Sequence, residues 1–241
     1  MKITVLTLFP EILQGFFSSS IMAKSIESGI MAAETVNIRE FAEDRHRTCD
    51  DAPYGGGAGM VLKAEPLGRA LEAVGAADRR VIYPTPSGKP FTQRYAADLA
   101  GENELIFICG RYEGIDQRII DRYVDEEICI GDYVISSGEV ATLVIIDAVY
   151  RLIDGVISEE SLLEESFSSN LLEYPHYTRP YEYQGMTVPD ILLSGNHAAI
   201  ERWRLYRRVE KTLKMRPDLI DRVDREDTIL EILRELENGS E

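Results

Sequence analysis

The stretches LIFICGRYEGID (residues 105–116) and ICIGDYVISSGE (residues 128–139) are two glycine-containing turns, each preceded by an apolar, strand-like run. Such turns expose backbone N–H and C=O groups where side chains would otherwise block a ligand. Neither contains GxGxxG or GxxxxGK[ST], the fingerprints of a dinucleotide site and of a P-loop. The two turns therefore predict an adenosine-like ligand that is bound in an uncommon way.

Apolar runs and helical patterns alternate along the chain on both sides of these turns. The runs typical of buried strands are residues 3–8, 81–83, 105–109 and 127–130. The helical patterns between them are residues 65–74, 91–100 and 117–123. This alternation predicts an α/β fold, in which a largely parallel sheet has helices on both faces.

The segment after the second turn is apolar on nearly every side. Ser137 is placed to cap a helix over residues 138–153, and Glu139 falls in its first turn, where the helix dipole favours a negative charge. A helix of this composition is expected to be buried, in part against another subunit.

The chain changes character after residue 156. Residues 157–170, ISEESLLEESFSSN, are acidic, Ser-rich and weakly periodic, which indicates a flexible linker. We therefore expect a ligand-binding domain over residues 1–156 and a small, mainly helical domain over residues 171–241. In the second domain, a helix over residues 197–215 places Arg204, Arg208 and Lys211 on one face.

Composition narrows the class of protein. No run of eighteen apolar residues suggests a membrane span, and the amino-terminal MKITVLTLFP is typical of a first strand rather than a signal peptide. The cysteines, Cys49, Cys109 and Cys129, form no CxxC pair, which suits a reducing cytoplasm. Three histidines without an HExxH motif disfavour a zinc site, and we expect no metal cluster in the chain itself.

The charge is unevenly distributed. The formal net charge is −16, yet seven basic residues stand against two acidic ones between His197 and Arg216. The local distribution matters more than the total for a polyanionic partner. We expect this basic patch to face RNA, with neither DNA nor a membrane as a partner.

Five segments resemble bacterial tRNA (guanine-N1)-methyltransferases in their order and spacing. They are PYGGGAGM (53–60), CGRYEGID (109–116), IGDYVISSGE (130–139), EYPHYTRP (173–180) and VPDILLSGNH (188–197). The resemblance extends from Met1 to about residue 220. It implies a deep trefoil knot in the first domain, a homodimer, S-adenosylmethionine as methyl donor, participation of Mg²⁺, and methylation of the tRNA guanine just 3′ of the anticodon, position 37.

The resemblance also assigns the methyl-donor pocket to three loops, residues 83–88, 110–114 and 130–138. Their backbone groups and apolar side chains suit the adenine ring. The residues expected to bind the donor are Tyr83, Pro84, Thr85, Pro86, Ser87, Gly88, Gly110, Tyr112, Ile130, Gly131, Asp132, Tyr133, Val134, Ile135, Ser137 and Gly138.

Methylation of guanine N1 requires that its proton be removed and that charge on the O6 edge be stabilised. The resemblance implies that Glu165 is the base, that Arg151 stabilises the developing charge and that Glu113 is a functional carboxylate. Without it, Glu165 reads as a solvated linker acid, Arg151 as a residue that pairs with a helix dipole, and Glu113 as a turn residue.

Three positions depart from the family pattern. Glu165 stands where Asp is commonest, Ser137 where Gly is usual and Ala58 where Pro is usual. A displacement of about 1 Å at a reacting group can cost roughly a hundredfold in rate. The linker is flexible enough to compensate for the longer side chain, so we expect Glu165 to be an active base.

The RNA side of the prediction is chiefly electrostatic. The residues expected to contact phosphates are Arg202, Arg204, Arg207, Arg208, Lys211 and Lys214, which a solvated helix face would explain equally well. His176, Tyr177 and Arg179 suit contacts with unpaired nucleotides, although a rigid packing loop is the alternative. Gly57 and Gly59, in the PYGGGAGM segment, are predicted to bind the substrate.

Three other functions are alternatives to this one. A related knotted methyltransferase could act on a ribose 2′-OH or another base, and only the resemblance fixes the target. A tRNA-binding module without activity is supported only by Glu165, Ser137 and Ala58. A nicotinamide-dependent dehydrogenase is disfavoured because the phosphate-binding fingerprint is missing.

Overall fold

The structure is a computed structural model that describes residues 1–158, 165–167, 169–223 and 227–238. The chain divides into two compact units, Met1–Ile157 and Ser158–Glu241. Much of the predicted linker, residues 159–164 and 168, lies outside the described residues, so its flexibility stays a prediction.

A parallel sheet of five strands forms the centre of the first unit, in the order β2-β1-β6-β5-β7. The strands are β1 (Lys2–Thr7), β2 (Ala32–Asn37), β5 (Arg80–Pro90), β6 (Glu104–Ile108) and β7 (Glu126–Cys129). Two short strands outside it, β3 (Asp50–Asp51) and β4 (Val61–Leu62), pair antiparallel. The predicted α/β fold with a parallel sheet is confirmed.

Side chains alternate between two cores because successive residues of a strand point to opposite faces. Ile3, Val5 and Phe107 belong to one core, and Leu6 and Ile108 to the other. Helices cover both faces, so the central strands are apolar at almost every position. These helices are α1 (Pro10–Phe17), α2 (Ser20–Glu27), α3 (Ala64–Ala73), α4 (Gln93–Ala100), α5 (Gln117–Tyr123) and α6 (Gly138–Tyr150). Ile38–Phe41 and Ala76–Asp78 are short 3-10 helices.

Several predicted boundaries differ from the structure for local reasons. Strand β2 was missed because AAETVN has no buried residue and too few apolar ones to stand out. The helix predicted over residues 91–100 begins at Gln93 because the Thr92 side chain caps it, accepting the Tyr95 N–H. The helix predicted over residues 138–153 ends at Tyr150.

Strand β5 is longer than predicted because its pairing with β7 resumes after an interruption. Pro84 and Lys89 both lie opposite Ile128, so residues 85–88 bulge out between them. The chain passes very close to β7 at this bulge, since a Cβ on Gly88 would lie 2.4 Å from the Ile128 nitrogen. The bulge is the first of the three loops predicted to bind the donor.

The second unit is mainly helical, as predicted from its sequence. Its elements are the hairpin β8 (Glu182–Tyr183) and β9 (Met186–Thr187), a 3-10 helix Asp190–Leu193, and helices α7 (His197–Met215), α8 (Pro217–Ile220) and α9 (Asp227–Asn238). Val209 of α7 packs with Ile229 and Ile232 of α9 in a small buried core. Phe167 and Asn170 donate hydrogen bonds to the carbonyls of Leu171 and Arg222, within this unit.

No helix in the described parts of the chain is long and apolar enough to cross a membrane.

The close contact between Gly138 and Gly110 leads to a prediction about the stability of the protein. A Cβ on Gly138 would lie 2.6 Å from the Gly110 nitrogen and 2.9 Å from its oxygen, both backbone atoms. We expect Gly138→Ala to lower the free energy of unfolding by about 1–3 kcal/mol, as other overpacked sites do. Urea unfolding of the purified variant measures this change.

Gly15→Ala is the matched control. Gly15 lies within α1, and nothing is within 4 Å of its added Cβ. Here the same substitution should stabilise the protein by about 0.5–1 kcal/mol, because alanine favours the helix. Equal effects of the two substitutions would contradict the assigned backbone contact.

Candidate active site

A cavity of about 210 Å³ lies at the carboxyl ends of β5, β6 and β7. The carboxyl ends of parallel strands share one edge of a sheet, so the loops that follow them meet there. All the residues predicted to bind the donor line this cavity except Ser87, Gly88 and Asp132. Its walls also include Arg111, Glu113, Gly114 and Ser136, which lie in the predicted loops, and Ile128, Cys129 and Ala141, which lie outside them.

The loops around the cavity are held by close backbone contacts. The Gly138 N–H donates a 3.0 Å hydrogen bond to the Gly110 carbonyl, which joins the turn after β6 to the start of α6. The Tyr83 ring fills the space beside Gly110, where a Cβ would lie 2.8 Å from the Tyr83 hydroxyl oxygen. Burial raises the pKa of Tyr83, so its hydroxyl stays protonated in this wall.

Ser137 caps α6, as predicted. Its hydroxyl oxygen accepts the Val140 N–H at 3.4 Å, and its side chain is nearly buried. A serine in the place where the family usually has glycine is therefore compatible with the turn, because its backbone is extended (φ −156°). Arg151 follows the last residue of α6, at the opposite end of the helix from the cavity.

A buried ion pair behind the cavity was not predicted. Glu139 is fully buried and accepts a 2.6 Å hydrogen bond from the Thr7 hydroxyl of β1. Its second carboxylate oxygen lies 3.1 Å from Arg111 Nε, close enough for an ion pair although the N–H is not aligned for a hydrogen bond. The Arg111 guanidinium lies 4.4 Å from the centre of the Phe9 ring. These contacts connect the cavity wall to β1.

The glycine-rich loop lies against the second of the three loops. The Glu113 N–H donates a 3.0 Å hydrogen bond to the Met60 carbonyl. A Cβ on Gly59 would lie 2.4 Å from Glu113 Oε1, so only a glycine lets this carboxylate lie there. The structure thus brings Glu113 together with Gly59, while Gly57 lies in the same loop with open space around it.

The other two predicted catalytic residues belong to different units. Arg151 is in the first unit and lines a shallow hollow along α6 with Gln93 and Asp147. Glu165 is in the second unit, next to Ser166, whose hydroxyl accepts the Glu173 N–H at 3.1 Å. Their joint action stays a prediction.

The basic helix α7 is partly engaged within its own unit. The Arg204 guanidinium lies 4.8 Å from the centre of the Tyr174 ring, and Arg208 donates a 2.8 Å hydrogen bond to the Ser169 hydroxyl. Arg202 pairs with Glu235 and Arg207 with Glu210. Lys211 and Lys214 are exposed, and no ion pair to either is found in the described residues.

The predicted nucleotide-contacting loop lies at the surface of the second unit. Tyr177 is about half exposed and its ring centre lies 6.4 Å from that of Trp203. His176 is exposed, with its ring centre 4.6 Å from that of Tyr174. Arg179 is exposed as well.

Comparison of the sequence with known proteins shows similarity to one protein family. Residues 1–222 match the sequence profile described as tRNA (Guanine-1)-methyltransferase TrmD. The chain is 65% identical over 222 residues to a tRNA (guanine-N(1)-)-methyltransferase of Treponema denticola, covering 92% of this chain and 91% of that protein. Proteins with the same name from Borrelia hermsii and Treponema pallidum are each 60% identical, over 221 residues (91% of this chain and 92% of that protein) and 220 residues (91% and 88%).

The buried ion pair of Arg111 and Glu139 leads to a prediction about the stability of the protein. Glu139→Gln leaves the Arg111 charge without its partner while keeping the size of the side chain. We expect the free energy of unfolding to fall by about 3 kcal/mol, as when one partner of a buried pair is removed. Urea unfolding of the variant measures this.

Glu34→Gln provides the comparison, because Glu34 forms a 2.9 Å ion pair with Lys2 at the surface. Its loss should cost less than about 1 kcal/mol. A loss at Glu139 as small as the loss at Glu34 would refute the role given to the buried pair.

Proposed function

The chain belongs to the tRNA (guanine-1)-methyltransferase family, and we propose that it uses S-adenosylmethionine to methylate N1 of the guanine just 3′ of the anticodon, position 37, in tRNA. The observation that carries the proposal is the cavity at the carboxyl ends of β5, β6 and β7. Three separate loops that the family resemblance assigns to the methyl donor converge on it.

The lining of the cavity suits S-adenosylmethionine. Ile130, Ile135 and Ala141 provide apolar surface for the adenine ring, and the glycine backbones provide hydrogen-bonding groups. When bound, this donor supplies an electrophilic methyl group on a positively charged sulfur. The Arg111 charge would repel such a cation, and the neighbouring Glu139 carboxylate offsets it.

The resemblance implies a knotted path for the loops around the donor, and we include the knot in the proposal. Two close approaches occur among the loops that such a knot would involve. The start of α6 lies against Gly110, and the β5 bulge lies against β7. Both place segments that are distant in sequence within van der Waals contact of one another.

We propose that Glu165 removes the N1 proton, that Arg151 stabilises negative charge on O6, and that Glu113 orients the base. The position of the Glu113 carboxylate supports the role proposed for Glu113, because this side chain lines the cavity next to Gly59. Guanine N1 is a poor nucleophile while protonated, so the rate depends on how the guanine is placed relative to the Glu165 carboxylate.

We propose that two copies share each active site, and the length of α6 supports this. Its first residue, Gly138, lines the cavity, and Arg151 follows its last residue. A helix rises 1.5 Å per residue, so about 20 Å separates the two ends, which is beyond the reach of an arginine side chain. Arg151 of one copy must therefore serve the cavity of another copy if it is to act there.

A homodimer that packs α6 against its counterpart would satisfy this requirement. Val140 and Val144 are one turn apart on α6 and are 47% and 46% exposed, an apolar strip beside Leu143 and Ala148. Two antiparallel α6 helices related by a two-fold axis would bury this strip. Their arrangement would place each Arg151 beside the start of the other α6.

We propose that tRNA phosphates contact the second unit mainly through Lys211 and Lys214. Both are exposed, whereas Arg204 and Arg208 are partly buried against Tyr174 and Ser169. Arg204 and Arg208, which the sequence predicts to contact phosphates, thus have a structural role as well. A substitution at either would disturb the fold as well as the RNA contact.

The family resemblance implies Mg²⁺. In the part of the chain that the structure describes, no group of three or more His, Cys, Asp or Glu side chains could hold a metal ion. All three cysteines are free and buried, which supports the proposed location in a reducing cytoplasm.

The function is tested by methyl transfer from S-adenosylmethionine to tRNA transcripts that carry guanine or another base at position 37. Product on N1 of that guanine alone is expected. Glu165→Gln should lower kcat by about 10²- to 10⁴-fold, the range typical of a lost general base, without changing tRNA affinity. Glu182→Gln, at an exposed carboxylate of the β8–β9 hairpin, is the control.

Near-normal turnover by Glu165→Gln would contradict its role as base. Binding of both tRNA and donor by the unaltered protein without transfer would instead favour the binding module without activity.

The shared active site is tested by mixing two inactive variants, Arg151→Ala and Glu113→Gln. In a mixed dimer, one cavity has both an intact Glu113 and an intact Arg151 from the other copy. After exchange of subunits, roughly a quarter of the normal activity should return, since half of the dimers are mixed and each has one complete site.

Differently tagged chains confirm that mixed dimers form. If they form and no activity returns, Arg151 and Glu113 act within the same copy, and the antiparallel arrangement is wrong.

A further inference from the structure

A second cavity, of about 320 Å³, lies within the second unit between the EYPHYTRP segment and the first turns of α7. It is separate from the proposed donor cavity, whose lining residues all belong to the first unit. Its lining combines aromatic, apolar and charged groups: Tyr174, Pro175, His176, Tyr177, Leu192, His197, Ile200, Glu201, Trp203 and Arg204.

The aromatic walls of this cavity are only partly covered. Tyr177 and Trp203 have their ring centres 6.4 Å apart, at an interplanar angle of 53°, so their faces are not stacked on one another. Tyr177 is 48% exposed, and the His176 side chain is 65% exposed. An aromatic cluster that served only to hold the loop would bury these rings, as Tyr174 is buried. The exposed ring surface is therefore available to a planar ligand.

Polar groups without partners surround the same cavity. In the described parts of the chain, neither the Tyr177 hydroxyl, the His197 ring nor the Glu201 carboxylate has a hydrogen bond or ion pair. A carboxylate only accepts hydrogen bonds, so Glu201 suits a ligand edge that carries N–H donors. The Arg204 guanidinium, which lies over Tyr174, adds positive charge at the wall.

We propose that this cavity binds an unpaired nucleobase of the tRNA anticodon loop, a neighbour of the guanine that is methylated. The inference rests on the proposed function, since it takes tRNA as the substrate. Proteins read RNA through unpaired bases that stack on aromatic side chains and form hydrogen bonds along their base-pairing edges. Tyr177 and Trp203 provide the stacking surface, and Glu201 accepts from the N–H groups of the base. Guanine fits best, because its N1–H and N2–H donors are adjacent.

The chain contains a single tryptophan, Trp203, so tryptophan fluorescence reports on the surroundings of this one residue in the cavity wall. The probe is an anticodon stem-loop RNA, with a fully paired RNA duplex of the same length as its control. The stem-loop should change Trp203 fluorescence saturably, and the duplex should not. Tyr177→Ala should weaken binding of the stem-loop about 5- to 150-fold, the range expected for loss of one stacked base.

Two further variants separate recognition from folding. Glu201→Gln keeps the size of the side chain and should weaken stem-loops with guanine in the bound position more than those with inosine, which lacks the N2 donor. Tyr183→Ala, at an exposed tyrosine of strand β8 that does not line the cavity, should leave binding unchanged. Donor affinity should stay the same in all three variants.

Stem-loops with 2-aminopurine at one loop position at a time identify the bound base. A response at a position other than 37 supports the proposal, and a response at position 37 alone overturns it, because the cavity would then hold the target base. Wild-type RNA affinity in Tyr177→Ala overturns it as well. Methyl transfer is measured on the same samples, so failure of the proposed function would show separately as absence of transfer by the unaltered protein.

Discussion

The hydrogen bond from the Gly138 N–H to the Gly110 carbonyl is the contact on which the rest of the first unit depends. It fixes the first residue of α6 against the turn after β6. Because a helix keeps a regular geometry, fixing its first turn also sets the direction of the rest of α6. The cavity wall at Ala141 and the position of Arg151 at the far end of the helix follow from that one attachment. The next residue, Glu139, is thereby placed to reach β1.

Charge is the second constraint on this region. Glu139 takes a carboxylate into the interior, which is tolerated because Thr7 and Arg111 meet its two oxygens. Burial and the nearby carboxylate both raise the pKa of the Cys109 thiol, so this sulfur stays neutral in the folded protein. The interior behind the cavity therefore carries a compensated ion pair, and a cationic ligand at the front would meet the Glu113 carboxylate in the lining.

Sequence patterns predicted the sheet, the two turns and the cap at Ser137, because each depends on neighbours along the chain. They missed β2, whose residues are partly covered and show no apolar run. They also missed the Thr7–Glu139–Arg111 contacts, since Thr7 and Glu139 are 132 residues apart and a lone glutamate at a helix start already has a local explanation. Ser87, Gly88 and Asp132 belong to the predicted loops but do not line the cavity, which only the three-dimensional path of a loop decides. The roles of Glu165 and Arg151 come from the family resemblance alone.

Helix α9 has a consequence for how this family is compared across species. The family profile ends at residue 222, yet Ile229 and Ile232 of α9 complete the core around Val209. A surface-exposed amphipathic helix keeps its packing as long as apolar residues recur at the right spacing, whatever the identity of the others. The segment can thus diverge beyond recognition by alignment while it remains structurally necessary. In this chain the buried isoleucines make α9 part of the core of the second unit, although α9 lies outside the region that the profile matches.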